Sequence, residues 1–302
     1  MTVYTADAQD FYRSNRIKFT YDNDFFSETD RYYTQGLRLD YTAQAIGKSP
    51  VSKLLFTIQP STLKIYTLTF QQDGYTPRSI SYKGLYAGER PYSGMFYLTH
   101  SLLSISTEKK QRFTTSLALG LIGPESMGEQ EQKQIHHWLH NISPNGWQYQ
   151  IHTDAIVNYN FMLEQGLITG KYADLLLSGE ARVGTLFTDV AIGTQIRAGL
   201  LTDYFNVIGL KRGKNNFQCY FTGKANIKAV GYNATLQGGV FNHSSPNVIP
   251  SSDVDRFVGQ AKASVTVSYK RVVLEYQKVY LSREFKGGLP HGWGCASIAV
   301  WL

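Results

Sequence analysis

IKFTYDNDFFSETDRYYTQGLRLDYTA, residues 17–43, reads as two strands joined at a short tip. Ile17, Phe19, Tyr21 and Phe25 alternate with Lys18, Thr20, Asp22 and Asp24; Leu37, Leu39, Tyr41 and Ala43 alternate with Thr34, Gly36, Arg38, Asp40 and Thr42. A period of two gives each strand one apolar and one polar face. If the two runs form a hairpin, Asn23 and Asp24 at the end of the first meet Thr34 of the second, within Asp30-Arg31-Tyr32-Tyr33-Thr34-Gln35-Gly36. An amide, a carboxylate and a hydroxyl then converge at one tip. Strict alternation sends Asn23 outward and Asp24 inward, so both serve one site only where the strand end bulges or uncoils. Taken singly, Asn23 and Asp24 also suit a turn cap, because such side chains bond their own backbone. Asp30 and Arg31 suit a surface ion pair worth under about 1 kcal/mol.

The same period recurs along the chain. Phe113, Thr115, Leu117, Leu119 and Leu121 oppose Arg112, Thr114, Ser116, Ala118 and Gly120, and Ala261, Ala263, Val265, Val267 and Tyr269 oppose Gln260, Lys262, Ser264, Thr266 and Ser268. Twelve strands are predicted, at 15–26, 31–43, 62–72, 91–106, 111–122, 147–160, 173–186, 188–201, 216–231, 255–269, 270–284 and 290–302. A soluble all-β protein would turn the apolar faces inward. Arg38, Asp40, Glu180, Arg182, Arg197, Lys224, Lys228 and Lys262 would then lie outside; enclosed instead, they need a wet interior, since unpaired ions in a dry core cost several kcal/mol each. The 21 tyrosines suit aromatic girdles at two membrane interfaces. The fold class is therefore all-β: a 12-stranded antiparallel transmembrane barrel, polar inside and apolar toward lipid, in the outer membrane of a Gram-negative bacterium. An even strand number puts both termini on the periplasmic side and the first hairpin tip outside. The long connections near 73–90, 123–146 and 232–254 are then external, and 1–14 is a periplasmic N-terminal segment of one domain spanning 1–302.

Composition narrows the partners. Hydrophobic residues make up 42% of the 302, without an apolar run long enough for a spanning helix. An exported protein needs a signal peptide, so the expectation is a mature chain with Met1 added. The net charge of +7 and pI near 9.2 could serve nucleic acid, but Lys and Arg are spread over strands and turns with no RNA-binding signature. No nucleic-acid partner is predicted. An anionic membrane surface, with phosphorylated outer-leaflet lipid, is the better match. Cys219 and Cys295 fall on opposite strand faces of non-neighbouring strands, which predicts two free thiols.

A second informative block runs from Gly120 to Gln150. Glu129 to His140 are mostly helix formers, and at helical spacing Gln132, Ile135, His136 and Leu139 share a face. A short amphipathic helix in the external loop 123–146 would lean on the barrel rim and present His136 to the first hairpin. Histidine is the usual general base near neutral pH. His136 and His140 are four apart, a spacing that zinc uses, but the glutamate of the metalloprotease motif is replaced by His137.

Together these pieces resemble the lipid A 3′-O-deacylases of the Gram-negative outer membrane, the LpxR family. The matching residues are Asn23-Asp24; Asp30 to Gly36; Gln72 with Tyr75-Thr76-Pro77; Glu89-Arg90-Pro91-Tyr92-Ser93-Gly94; Gly123-Pro124; Gly128, Gln132 and His136; and Gly146-Trp147 with Gln150. The resemblance implies a twelve-stranded barrel with its site between the wall and a helical external loop. It also implies calcium-dependent hydrolysis of the ester-linked acyl chain at the 3′ position of lipid A, or of lipopolysaccharide, by a monomer. His136 matches the family's base, Thr34 its active-site hydroxyl, and Asn23 and Asp24 its Asn-Asp pair. The family carboxylate six residues after the histidine is replaced here by Ile142, leaving Glu129 or Glu131, or no group at all, to orient the imidazole. The basic residues of the second external loop find only unaligned counterparts in Arg78 and Lys83, as contacts to an oxyanion or phosphate.

The chemistry is coherent on its own terms. Ester hydrolysis needs a deprotonated water near the carbonyl and a positive field at the developing oxyanion. His136 can take the proton; Asp24, the Asn23 amide oxygen and loop carbonyls suit Ca2+, a hard ion that polarises carbonyls. Thr34 would donate to the oxyanion or orient the water. Two other classes fit the same sequence: an acyl hydrolase acting on another lipid, and a non-catalytic barrel serving as a narrow pore or binding protein.

Overall fold

A computed structural model describes residues 15–24, 31–57, 63–138, 140, 142–205 and 217–302. The predicted segment 1–14, Asp30 and Leu139 fall outside these. Twelve strands close into one antiparallel barrel in which each pairs with its sequence neighbours and β1 with β12. They are β1 (Arg16–Asn23), β2 (Tyr32–Thr42), β3 (Leu63–Thr76), β4 (Ser93–Ser106), β5 (Gln111–Ile122), β6 (Asp154–Thr169), β7 (Ala173–Gly184), β8 (Phe187–Leu200), β9 (Phe217–Asn233), β10 (Phe257–Tyr269), β11 (Val272–Leu281) and β12 (His291–Trp301). Closure removes the two edges that an open sheet would expose.

The faces fall as the alternation predicts. Phe19, Leu39, Leu98, Leu119, Ile192, Ile227 and Val265 lie exposed on the outer wall, where lipid is their solvent. The lumen takes the charges and pairs them: Arg197 with Asp174 at 2.8 Å, Lys224 with Glu180 at 2.6 Å, Arg182 with Asp189 at 2.5 Å and Lys18 with Glu275 at 3.5 Å. Two lumenal cavities of about 290 and 260 Å³ keep this interior polar rather than dry. Cys219 and Cys295 are free. No helix among the described residues is long and apolar enough to cross a membrane.

Several boundaries differ from the sequence reading: β3 runs on to Thr76 rather than 72 and β6 to Thr169 rather than 160, and two further differences bear on the external loop. β6 starts at Asp154 rather than 147, because Gly146 adopts φ +110 and Trp147–Tyr149 form a 3-10 turn that buries Trp147. The aromatic run at 147–149 reads as strand, yet it serves the external loop. The helix of that loop, α1 (Gly128–Trp138), stops two residues before His140, which has φ +53. His140 therefore does not share the helical stripe of His136, and the four-residue pair offers no helical zinc site.

A candidate active site on the outer wall beneath the helical loop

The upper end of β2 carries an irregularity that decides what faces out. Tyr33 pairs with Tyr75, but Gln35 pairs with Gly74, so Thr34 is an extra residue in the strand. A bulge of this kind re-aims the side chains beyond it. Tyr33 points inward, where its hydroxyl lies 2.9 Å from both Asp22 Oδ2 and Asp73 Oδ1. The phenol fills the space over Gly36, where any Cβ would sit 2.0 Å from its oxygen. Thr34 and Gln35 turn the other way. A Cβ on Gly74, an outer-wall position, would lie 3.3 Å from Gln35 Cγ and 3.6 Å from the Thr34 methyl. Both side chains therefore cover the outside of the barrel, and Thr34 is 3% exposed.

β1 supplies the neighbouring groups. Asn23, paired with Gln35, projects outward and donates from Nδ2 to Tyr21 Oη at 3.0 Å. That bond uses the nitrogen end of the amide and turns the carbonyl oxygen away from Tyr21. β1 ends at Asn23, so Asp24 already lies off the strand and escapes the parity that would send it into the lumen. Its carboxylate and that of Glu131 both act electrostatically on the Tyr21 hydroxyl, so the two acids and Asn23 gather around one outward-facing tyrosine.

The loop 123–153 folds down over this wall. Gly94 makes the approach possible, because a Cβ there would meet Ser126 Oγ at 2.2 Å and Gly128 Cα at 3.3 Å. Gln72, also outward, donates to the Ser126 carbonyl at 2.7 Å. α1 thus rests on β3 and β4 with Gly128, Gln132 and His136, four residues apart, as its buried stripe. Gln132 Oε1 accepts from the buried Trp147 indole at 2.8 Å, while its Nε2 is buried without a partner among the described residues.

His136 is 7% exposed, and its Nδ1 lies 2.6 Å from the Ile142 carbonyl oxygen. The carbonyl can only accept, so Nδ1 carries the proton and Nε2 is left as the basic nitrogen. The expectation that Glu129 or Glu131 orients the imidazole does not hold. Glu129 pairs with Lys133 at 2.5 Å, and Glu131 faces Gln35 on the wall. The acceptor comes from position 142 after all, but from its main chain.

Glu131 is the acid that sequence reasoning passed over for the wall. Burial pushes its carboxyl up to about 7; the Gln35 amide opposes this and Asp73, across the wall, adds to it. Neither Glu131 Oε1 nor Gln35 Nε2 has a hydrogen-bond partner among the described residues. Among the described residues no three of His, Cys, Asp and Glu gather as a metal cluster. The donors on this part of the wall are instead oxygens: the carboxylates of Asp24 and Glu131, which act on Tyr21, and the amides of Asn23 and of Gln35, which lies opposite Asn23 and against Glu131. Such a set fits a hard cation such as Ca2+ and suits zinc poorly.

Arg78 and Lys83 lie in the second external loop. Arg78 lies 3.1 Å from Glu89 and donates to Tyr86 Oη at 2.8 Å, and Lys83 is exposed. Neither makes a contact with Asn23, Thr34 or His136.

Barrel, lipid-facing wall and helical loop together define an outer-membrane barrel protein that carries, besides its polar lumen, a set of buried polar groups on the outside of the wall beneath that loop. The sequence profile described as "Outer membrane protein LpxR" matches residues 1–301, and the chain belongs to this family. In structure it is similar to LpxR from Salmonella typhimurium, with a TM-score of 0.75 and 18% identity over 95% of this chain and 100% of that one. Weaker likenesses are to the KdgM porin in complex with oligogalacturonate (TM-score 0.40, 7% identity, 94% and 98% covered) and the β domain of the Bordetella autotransporter BrkA (0.43, 8%, 95% and 98%). No curated protein sequence matches.

Proposed function

We propose that this protein is a Ca2+-dependent ester hydrolase that removes the 3′-linked acyl chain of lipid A, acting as a single barrel in the outer membrane. The observation that carries the reading is the His136 imidazole, held by the Ile142 carbonyl with Nε2 basic, on the face of α1 that presses on the wall. An acyl ester in the outer leaflet would approach this part of the wall sideways, without leaving the membrane.

His136 Nε2 accepts a proton from the attacking water and returns it to the departing alkoxide. The Ile142 carbonyl keeps the ring in its orientation throughout, as a dipole rather than a full charge. The Gln132 Nε2 donor and the Thr34 hydroxyl stand ready for the oxyanion. Thr34 as nucleophile would need an adjacent base to take its proton, so that role ranks lower. Asn23 and Asp24, with Glu131 opposite, would hold the calcium ion; bound there, it supplies Lewis-acid polarisation of the ester carbonyl.

The test is direct. Purified protein in detergent is given lipid A with calcium, and the products are weighed by mass spectrometry. Loss of one 3′-acyl chain, abolished by chelator and by His136→Ala, is the expected result. Unchanged lipid A together with hydrolysed phospholipid would move the substrate elsewhere, and activity in excess chelator would remove calcium.

A further inference from the structure

At the height of Asn23 the register places one outward residue from each of seven strands in a row: Ala263, Lys278, Gly294, Asn23, Gln35, Gly74 and Gly94. Beyond Gln35 the row is covered by the helical loop. On the other side of Asn23 none of the described residues covers it, and the outer wall there sinks into a trough of about 450 Å³. Its lining includes Ala261, Ala263, Gly292 and Tyr280, with Lys278 and Arg31. Small residues on an outer wall lower the surface that a lipid chain packs on, and here the low strip begins one strand from Asn23.

Lys278 is anomalous. Among the outward residues of β10, β11 and β12, which otherwise run Phe, Gly, Ala, Val, Tyr, Leu and Ile, it is the one charged side chain. It is exposed and makes no ion pair among the described residues. A lysine on the lipid face costs about 2–4 kcal/mol at the midplane and little near the interface, so it is tolerated only at headgroup depth. Lys278 sits three residues below the upper end of β11, Leu281, at that depth. Arg31 stands at the rim above, where Nη2 donates to the Pro290 carbonyl at 3.3 Å and Nε is buried without a partner. With strands about 4.8 Å apart, the Lys278 backbone lies about 10 Å from Asn23.

We infer that this trough is the docking site for the phosphorylated part of the lipid substrate. Lys278 and Arg31 take a phosphate, and an acyl chain lies along the Ala261, Ala263 and Gly292 floor while the neighbouring ester sits at Asn23. The site reads a lipid phosphate next to an acyl chain, whether borne by a glucosamine or by a glycerol. This rests on the lipid-hydrolase reading above, and the experiment keeps the two apart.

His136→Ala protein, unable to turn over, is placed in detergent and offered bisphosphorylated lipid A, its enzymatically dephosphorylated form, and phosphatidylglycerol, with retention read by native mass spectrometry. The phosphorylated lipid A is expected to be held about tenfold more tightly than the dephosphorylated form. Adding Lys278→Ala abolishes that preference, and Lys278→Arg restores it. Ala261→Trp, which fills the floor, weakens retention of all three lipids. Heat-modifiable migration on gels checks that each barrel is intact. Phosphatidylglycerol held as well as lipid A assigns the site to lipid phosphate in general; held poorly, it assigns it to the sugar-borne phosphate. Equal retention of both lipid A forms by the parent protein, or a preference that survives Lys278→Ala, overturns the inference. Wild-type acyl release is measured in parallel: phosphate preference without hydrolysis sinks the enzyme reading and leaves the trough, and hydrolysis without preference does the reverse.

Discussion

The outer wall on the two sides of Asn23 uses the same residue type for opposite ends. Toward β3 and β4, Gly94 lowers the wall so that protein can come close: Ser126 and Gly128 of the helical loop occupy the space that a side chain there would fill, while Gln35 and the Thr34 methyl lie over Gly74. Toward β12 and β11, Gly294 and Gly292 lower it and none of the described loop residues is seated on it. One side is a closed seat for the proposed catalytic groups and the other an open bed. A barrel wall can thus be contoured without disturbing its hydrogen-bond ladder, because only Cβ atoms are removed.

The largest expected effect tests whether the chemistry lives on the closed side. His136→Ala should lower the rate of acyl release by about 10² to 10⁴ with the barrel folded, as loss of a general base usually does. A variant as active as the parent would break the assignment of the two sides. Next in size is the seat itself. Gly94→Val drives a side chain into Ser126 and Gly128, an overpacking of about 1–3 kcal/mol that lifts the loop, and kcat/KM should fall roughly ten- to a hundredfold. Gly294→Ala on the open side should leave kcat unchanged. Equal losses in both would show the two sides to be one.

Position 142 gives a smaller and sharper test. Ile142→Ala keeps the carbonyl and should leave the pH profile of kcat/KM where it is. Ile142→Glu brings a carboxylate to the imidazole, which favours the charged ring, so the acid limb should move up by about one pH unit. The smallest effect concerns Glu131. Its carboxyl, raised to about 7 by burial, penalises the seated loop once ionised. Stability of the seat is full below the ordinary carboxylate range near 4.5 and falls as pH rises through 7. Without added divalent cation, Glu131→Gln should therefore increase hydrogen-exchange protection of α1 at pH 8, by on the order of 1 kcal/mol after allowance for its partial exposure, and change little at pH 5. A larger gain in protection from Glu131→Gln at pH 5 than at pH 8 would contradict this.

The barrel was legible because its signal is local: a two-residue period runs through the strands outside their bulges, and charges mark one face. The lateral site was legible only in part. Asn23, Thr34 and His136 stand in short motifs that the family resemblance gathers, but the bulge at Thr34 shifts parity by one residue, and no composition signal announces it. Helix formers run on through His140, so the stop at Trp138 was hidden. Gln132 and Glu131 gain their roles from how the loop folds back. Lys278 did carry a signal, a lysine on the apolar parity of the run 270–284, but its closeness to Asn23 exists only through the register of β11, β12 and β1.

The acceptor for His136 has a consequence for heredity. A task held by a side chain is lost when its codon changes, whereas a task held by the Ile142 carbonyl is written in none of the twenty side chains and can be performed by all of them. Drift at position 142 is therefore neutral for orienting the ring so long as the loop keeps its path. What selection must preserve here is a trajectory of backbone, spread thinly over Gly146, Trp147 and Gln132, and a comparison of sequences column by column would mistake that inheritance for a missing part.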